Sequence, residues 1–523
     1  MKLNLKPKLE HKDLKLIAFI VIAIGVLVRV VNFGKMPLGL NQDEAFAAYE
    51  AFSLINYGVD SAGNPFPTYF VSWGSGMNVL ESYLSIPFML IFGYSEAVFR
   101  LPSLICAIIT LPVFWLTLKR LFNNQVAIIG LSLLSISPWH IMLSRWALES
   151  NLAPSFLLFG LYFLIKSIDK NACLLLSALF FGLSLYAYSV VWLYLPVMLL
   201  VFGIYYIVKL KGKIQIKYLI AAIIILFVFA LPHFLFLLIN SNIIPEIKTS
   251  FFTIPKLVYM RGTEISLSNI FKADSWKNLF NILILQNDSL KTNCTAEFGL
   301  FYHISLPFLL LGFVAACIKF KNDIKAKVFS GAYFILGGFI VYFIISLCLF
   351  NLNINKSNGM HLFTLSIIAF GIYKAVNFIK AKRIAVVTVS LAFLICFGFF
   401  VNHYFGSGGK QISEHYSMGL GDAVELVKEK GCVQIAVDRS VYHSQILFYD
   451  KTEQKVFENT VEYEVYPHPY LSATSFGKYT FIYEYNDLKN FDAYIFPVSH
   501  LYFFSEEDFE ITVFEKYAVA IAK

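Results

Sequence analysis

A chain of 523 residues that is 58% hydrophobic and only 15% charged, with 53 Phe and 30 Tyr, carries more apolar surface than a water-soluble core of that size needs. Apolar runs of about 18 residues or more recur along most of it, which excludes an ordinary soluble protein and points to a polytopic membrane protein. The net charge of +8 matters less than its placement, because the basic residues collect in short connections that alternate with loops poor in Lys and Arg.

In chain order, Lys2, Lys6, Lys8, Lys12 and Lys15 precede a first apolar run that carries Arg29 and shows no small-residue cleavage site. That pattern predicts an uncleaved first span. Further spans are predicted at 98–118, 123–138, 152–168, 172–190, 191–209, 217–239, 298–318, 328–350, 359–379 and 383–401, which with 15–33 makes about eleven. The run from Met77 to Phe92 is apolar but short and holds Glu81 and Pro87, so it reads as a re-entrant or interfacial helix. The basic clusters at Lys119-Arg120, Lys166 and Lys170, Lys209 to Lys217, Lys319 to Lys327 and Lys374 to Arg383 then share one side with the N-terminus. The positive-inside rule makes that side cytoplasmic. The loops 34–97, 139–151, 240–297 and 351–358, and everything from 402, face outward.

After Val401 the composition shifts toward Asp and Glu, with a predicted helix from Asp422 to Lys430 and strands at 432–437 and 479–483. The expected architecture is an all-α membrane bundle over 1–403 followed by a small α/β or α+β extracytoplasmic domain over 404–523. The seven cysteines are scattered, without a CxxC pair or metal-ligand spacing, and give no disulfide framework. Nucleic acid is not an expected partner.

The acidic pair Asp43-Glu44 stands just past the first span, where carboxylates are costly unless they face water or a cavity. Asn41 followed by Glu44 predicts a capping box opening a helix that runs to about Tyr57 and stops at Gly58. The positive end of that helix favours ionised carboxylates, which suits a general base acting on an acceptor hydroxyl. The bland alternative is that both acids only cap a surface helix. The pattern of Phe46, Tyr49, Glu50 and Ile55 suggests that this helix lies amphipathic on the membrane surface.

In the next outward loop, Arg145 suits a bidentate phosphate contact with Glu149 orienting it, or it simply snorkels. Trp139 and Trp146 fit either this site or an interfacial belt, and His140 reads as structural. The loop 240–297 offers Lys256, Arg261, Gln286, Asp288, Lys291 and Asn293, then Tyr302 entering the next span. Asn353, Asn355, Lys356 and His361 follow in a short loop, facing the same cavity or serving as plain loop chemistry.

Assembled in this order, the chain resembles the multi-spanning glycosyltransferases of the GT-C superfamily. The nearest likeness is to the protein O-mannosyltransferases and their bacterial relatives, among them the aminoarabinose transferases of lipid A. The matching residues are Asp43-Glu44 with Tyr49, Gly58, Asp60, Gly63 and Pro65, then Ser137-Pro138-Trp139, Ser144-Arg145 and Glu149. Gln286-Asn287-Asp288, Asn293, Phe298 to Tyr302, and Asn353 to Lys356 complete the set. The resemblance implies transfer of a sugar from a polyprenyl-phosphate donor to a hydroxyl on the outer face of a bacterial plasma membrane, by inverting direct displacement. The acceptor would be a cell-envelope glycan, a lipid or a protein. Asp43 would be the base and Glu44 its positioning neighbour; Arg145, Lys291 and Lys356 would hold the donor phosphate. Glu149, Tyr49, Asp288 and Tyr302 would support the site. No cofactor is implied with certainty, and a divalent metal near the carboxylates stays open. A flippase of lipid-linked sugars would need internal repeats and broken helices, and no clear repeat is present. An oligosaccharide ligase or polymerase of the same superfamily is the nearest rival.

Overall fold

The computed structural model describes residues 11–523 apart from 73–74, 211–214, 261–263, 296, 327, 329, 465–470 and 486–489. Lys2, Lys6, Lys8, Lys211, Lys213, Arg261 and Lys327 therefore lie outside the described residues. The first half runs α1 (His11–Val30), α2 (Gln42–Tyr57), α3 (Leu80–Phe92), α4 (Glu96–Phe99), α5 (Leu101–Leu121), α6 (Asn124–Ile136), α7 (Pro138–Leu143), α8 (Glu149–Lys166), α9 (Cys173–Ser184), α10 (Val191–Leu210) and α11 (Ile216–Asn240). A small hairpin of β1 (Ile247–Lys248) and β2 (Thr253–Ile254) follows, then α12 (Ala273–Phe280). The bundle closes with α13 (Leu306–Lys325), α14 (Gly331–Cys348), the short α15 (Ile354–Ser357), α16 (Met360–Phe378) and α17 (Lys382–Tyr404).

A helix stands on each of the predicted spans, but those on 123–138 and 172–190 have only 13 and 12 residues. Among the described residues six helices are long and apolar enough to cross a membrane: α5, α11, α13 with its lead-in from His303, α14, α16 and α17. The chain is a multi-pass membrane protein. Its packing separates two kinds of helix. α8 is buried along almost its whole length, whereas α11 and α17 turn rows of Ile, Val and Phe outward, where acyl chains replace water. α13 and α16 touch backbone to backbone: a Cβ on Gly371 would sit 1.9 Å from the Phe308 carbonyl oxygen, and one on Gly312 2.0 Å from that of Ile367. Small residues permit this approach, which supplies van der Waals contact where lipid offers no hydrophobic drive. α3 has 13 residues, about 20 Å of helix, too short for a bilayer core of ~30 Å.

Beyond α18 (Ser407–Ser413), the chain builds α19 (Leu420–Glu429), β3 (Ile435–Asp438), α20 (His443–Asp450), α21 (Gln454–Thr460), β4 (Glu462–Tyr463), β5 (Ala473–Phe476), β6 (Tyr479–Ile482), β7 (Ala493–Pro497), β8 (Phe509–Phe514) and β9 (Tyr517–Ala522). The sheet order is β4-β5-β6-β3-β7-β9-β8, with β3 parallel to β6 and β7 and the outer pairs antiparallel. β3 is buried on both faces, as the continuous apolar run Ile435-Ala436-Val437 requires of a central parallel strand.

One expectation is overturned here. α2 does not lie on a membrane surface: every residue from Glu44 to Leu54 is buried. Ala45, Ala48, Tyr49 and Phe52 share one core with Val424, Val427, Ile446 and Val437 of the C-terminal domain. On another side Ser82 of α3 donates to the Ala47 carbonyl (2.7 Å). The alternation that reads as amphipathic instead serves two protein neighbours, one apolar and one mixed.

Candidate active site

The capping box is present. Asn41 Oδ1 accepts from the Asp43 N–H (3.0 Å), Glu44 Oε2 accepts from the Asn41 N–H (3.1 Å), and Gly58 ends the helix at φ +73°. Yet capping is the lesser part of what Glu44 does. Arg100, at the head of α5, grips it with Nε on Oε1 and Nη2 on Oε2, both at 2.8 Å, and the pair is fully buried. Arg100 spends its other donors on the carbonyls of Pro37 (2.8 Å) and Gly39 (2.6 Å), and the Ala147 N–H adds a bond to Glu44 (2.6 Å). Such a fork-on-fork pair, with its remaining donors and acceptors satisfied, is the geometry in which a buried ion pair holds. It fixes α2, α5 and the loop after α7 against each other. Asp43, the neighbouring residue, is half-buried at the same helix start.

Arg145, the expected phosphate ligand, directs its donors to backbone carbonyls. Its Nε donates to the Met36 carbonyl (3.0 Å), its Nη1 to those of Val28 (3.2 Å) and Arg29 (2.9 Å), and its Nη2 to that of Asn32 (2.8 Å). Val28 and Arg29 belong to the last turn of α1 and Asn32 and Met36 to the segment that leaves it, so Arg145 caps the negative end of that helix and ties down the chain beyond it. The rings of Tyr404 and Phe405 lie against its guanidinium. Trp139 and Trp146 are buried rather than placed in an interfacial belt, the former donating to Asn358 Oδ1 (2.9 Å). His140 is paired with Arg29 (2.7 Å) inside the bundle, a structural role as expected.

The remaining residues separate. Asp288 Oδ2 accepts from Asn293 Nδ2 and from the Ile354 N–H, both at 2.9 Å, and so ties the long loop to α15. Tyr302 is buried and donates to the Ile136 carbonyl (2.7 Å), and Tyr49 donates to that of Thr452 (2.8 Å); both are internal struts. Lys291 is exposed, close to His415. Glu149 and Lys356, in contrast, come together. They line a cavity of about 350 Å³ with Ser75, Tyr188 and Glu264, against an apolar wall that includes Trp192, Phe236 and Leu257. Glu149 Oε2 accepts from both nitrogens of Asn78 (2.5 and 2.8 Å), and Lys356 Nζ reaches Glu264 (3.0 Å) and the Phe350 carbonyl (2.9 Å). The polar end beside an apolar wall suits an amphiphile with a charged head. Glu149 lies two residues past Ala147, the backbone contact of Glu44, which brings the cavity to the α2 start.

A second acidic pair sits further along α2. Glu50 accepts from the Ser61 N–H (2.7 Å) and hydroxyl, and Asp60 from the N–H groups of Asn64 (2.7 Å) and Ala62 (3.0 Å). Burial pushes Glu50 well above the usual carboxylate range, reinforced by the charge of Asp60. Burial raises Asp60 from 3.8 to about 6, against the pull of its hydrogen bonds to Asn64 and Ala62. No group of three or more His, Cys, Asp or Glu side chains that would hold a metal ion occurs among the described residues.

Residues 79–236 match the family model described as dolichyl-phosphate-mannose-protein mannosyltransferase. ArnT from Cupriavidus metallidurans in the apo state matches with a TM-score of 0.55 at 12% identity, over 96% of this chain and 97% of that one. The chain has the GT-C fold. The same protein bound to undecaprenyl phosphate matches this fold with a TM-score of 0.53 at 12% identity, over the same shares. The oligosaccharyltransferase of Archaeoglobus fulgidus in the apo form gives a TM-score of 0.51 at 13% identity over 86% of this chain, which spans 65% of the length of that enzyme. No curated protein matches by sequence. Within the GT-C fold of this chain, sequence reasoning missed Arg100 and Glu264. Arg100 carried a signal: a charge at the start of a predicted span needs a partner. Glu264 carried none.

Proposed function

We propose that the chain is a membrane glycosyltransferase that moves a sugar from a polyprenyl-phosphate donor to an acceptor hydroxyl, with Asp43 as general base. The observation that supports this reading is the place of Asp43 at a helix start that a buried Glu44–Arg100 pair braces, with Glu149, two residues past the Ala147 N–H that binds Glu44, lining an amphiphilic cavity. Rigid support of this kind is what a proton-accepting group needs, because small displacements cost large factors in rate. The donor's phosphate head would sit in the cavity against Lys356, which Glu264 keeps poised there, with its isoprenoid along the apolar wall. The acceptor oxygen attacks the anomeric carbon as its proton passes to Asp43. The bond from that carbon to the phosphate oxygen breaks, the configuration inverts, and the polyprenyl phosphate leaves. The charge pattern of the loops supports an outer-face location for this chemistry.

The fold match to an oligosaccharyltransferase favours a second reading, in which a whole oligosaccharide is transferred. The mass gained by the product separates the two. Asp43→Asn in proteoliposomes given polyprenyl-phosphate sugars is expected to lower turnover by about 10²–10⁴-fold while donor affinity and thermal stability hold. Turnover within a few-fold of the parent protein removes Asp43 as the base.

A further inference from the structure

The carboxyl ends of β6, β3 and β7, three neighbouring parallel strands, form one edge of the C-terminal sheet. In open α/β sheets ligands seat at that edge, where strand-end loops and helix starts converge. Here the edge lies at the same end of the molecule as Asp43. Ser444 Oγ and Gln445 Nε2, in the first turn of α20, donate to the carbonyls of Gln42 (3.0 Å) and Leu40 (3.1 Å), while Tyr49, two turns along α2, reaches Thr452 just past the end of α20. α2 and α20 therefore run side by side in the same direction, and both start where β3 ends.

The edge carries an ordered cluster that the chemistry proposed above does not use. Asp438, buried at the end of β3, accepts from Ser440 Oγ (2.6 Å), His500 Nδ1 (2.9 Å) and the Tyr485 hydroxyl. Burial alone would raise its carboxyl, but these bonds hold it below its ordinary range. Alongside, Arg439 reaches the Tyr483 hydroxyl (3.0 Å) and Glu464 (2.9 Å), its guanidinium 5.4 Å from the centre of the Tyr483 ring. Tyr485 stacks on Phe503 at 4.7 Å. Despite this ordering, Tyr483 and Tyr502 remain 63% and 76% exposed.

Flat rings held bare beside fixed planar polar groups match a pyranose, whose C–H face packs on an aromatic ring while its vicinal hydroxyls bridge carboxylate, guanidinium and imidazole. An anionic headgroup fits poorly, because Glu464 neutralises Arg439 and Asp438 adds a further negative charge. A bare acyl chain has no use for the polar groups. We propose that this edge, with Arg439, Tyr483, His500 and Tyr502 at its centre, docks a neutral glycan of the acceptor beside Asp43. The inference rests on the glycosyltransferase reading for its role, but not for its test.

The test is saturation-transfer NMR on the full-length protein in nanodiscs, without sugar donor, using neutral tetrasaccharides of glucose, mannose, galactose and N-acetylglucosamine as probes. At least one probe is expected to receive transfer. Tyr483→Ala and Tyr502→Ala should each weaken it by about fivefold or more, the loss expected when an aromatic anchor is truncated, and Tyr502→Trp should restore it. No binding by any probe, binding indifferent to both alanine substitutions, or binding of a Ser/Thr-rich peptide in place of the glycans overturns the proposal. Glycan binding without transfer from any donor would sink the enzyme reading and leave the docking edge standing. Transfer whose acceptor KM ignores Tyr502→Ala would do the reverse.

Discussion

The Glu44–Arg100 hub and the Glu149–Lys356 cavity hold similar charges and use them differently. In the hub both side chains are fully buried and spend their bonding capacity on protein. In the cavity the Lys356–Glu264 pair keeps part of each side chain exposed, 17% and 31%. The first arrangement builds a scaffold. The second leaves groups that a ligand can reach, and the contrast shows that a charge near a membrane surface is informative only once its partners are counted.

The hub is broken most severely by Glu44→Gln, which leaves the Arg100 charge buried without its counter-ion. A loss of roughly 3–5 kcal/mol is expected, seen as a large drop in thermal midpoint or failure to recover folded protein. A stable, folded variant would show that the hub is dispensable. Arg145→Ala comes next. It strips the cap from α1 and should cost roughly 3 kcal/mol while leaving the donor KM of the surviving protein unchanged. A raised donor KM with unaltered stability would return Arg145 to the phosphate.

Lys356→Met tests the cavity from the other direction. The donor KM is expected to rise about tenfold, the worth of one charged hydrogen bond, with little change in the thermal midpoint. The reverse pattern would make Lys356 a strut like Arg145. The smallest effect concerns the Glu50–Asp60 pair. Both carboxyls bind a proton more tightly folded than unfolded; Asp60's contribution is complete below pH 3.8 and is lost as pH rises through about 6, and Glu50's falls in the same direction. The thermal midpoint should therefore fall over that window, and Glu50→Gln should flatten the slope. An identical slope in the variant would remove the pair as its source.

Much of the fold was legible because it depends on local sequence. Length and hydropathy placed the long helices, the Asn41–Glu44 spacing and Gly58 bounded α2, and the strands at Ile435 and Tyr479 declared themselves by β-branched and aromatic runs. The site was legible only in part. Lys356 and Glu149 do share a cavity, but the loop sequence does not show that the donors of Arg145 go to the carbonyls of Val28, Arg29, Asn32 and Met36. Nor does α2's own sequence reveal that the C-terminal domain, some 370 residues downstream, completes its core.

The sequence by itself determined where helices begin and end and which stretches belong in lipid, since these follow from capping chemistry and apolar length within a few neighbouring residues. Only the tertiary structure decided which charges are spent and which remain available. That outcome depends on which distant carbonyls and carboxylates converge on each guanidinium, and a buried polar group takes whatever partner the packing brings to it.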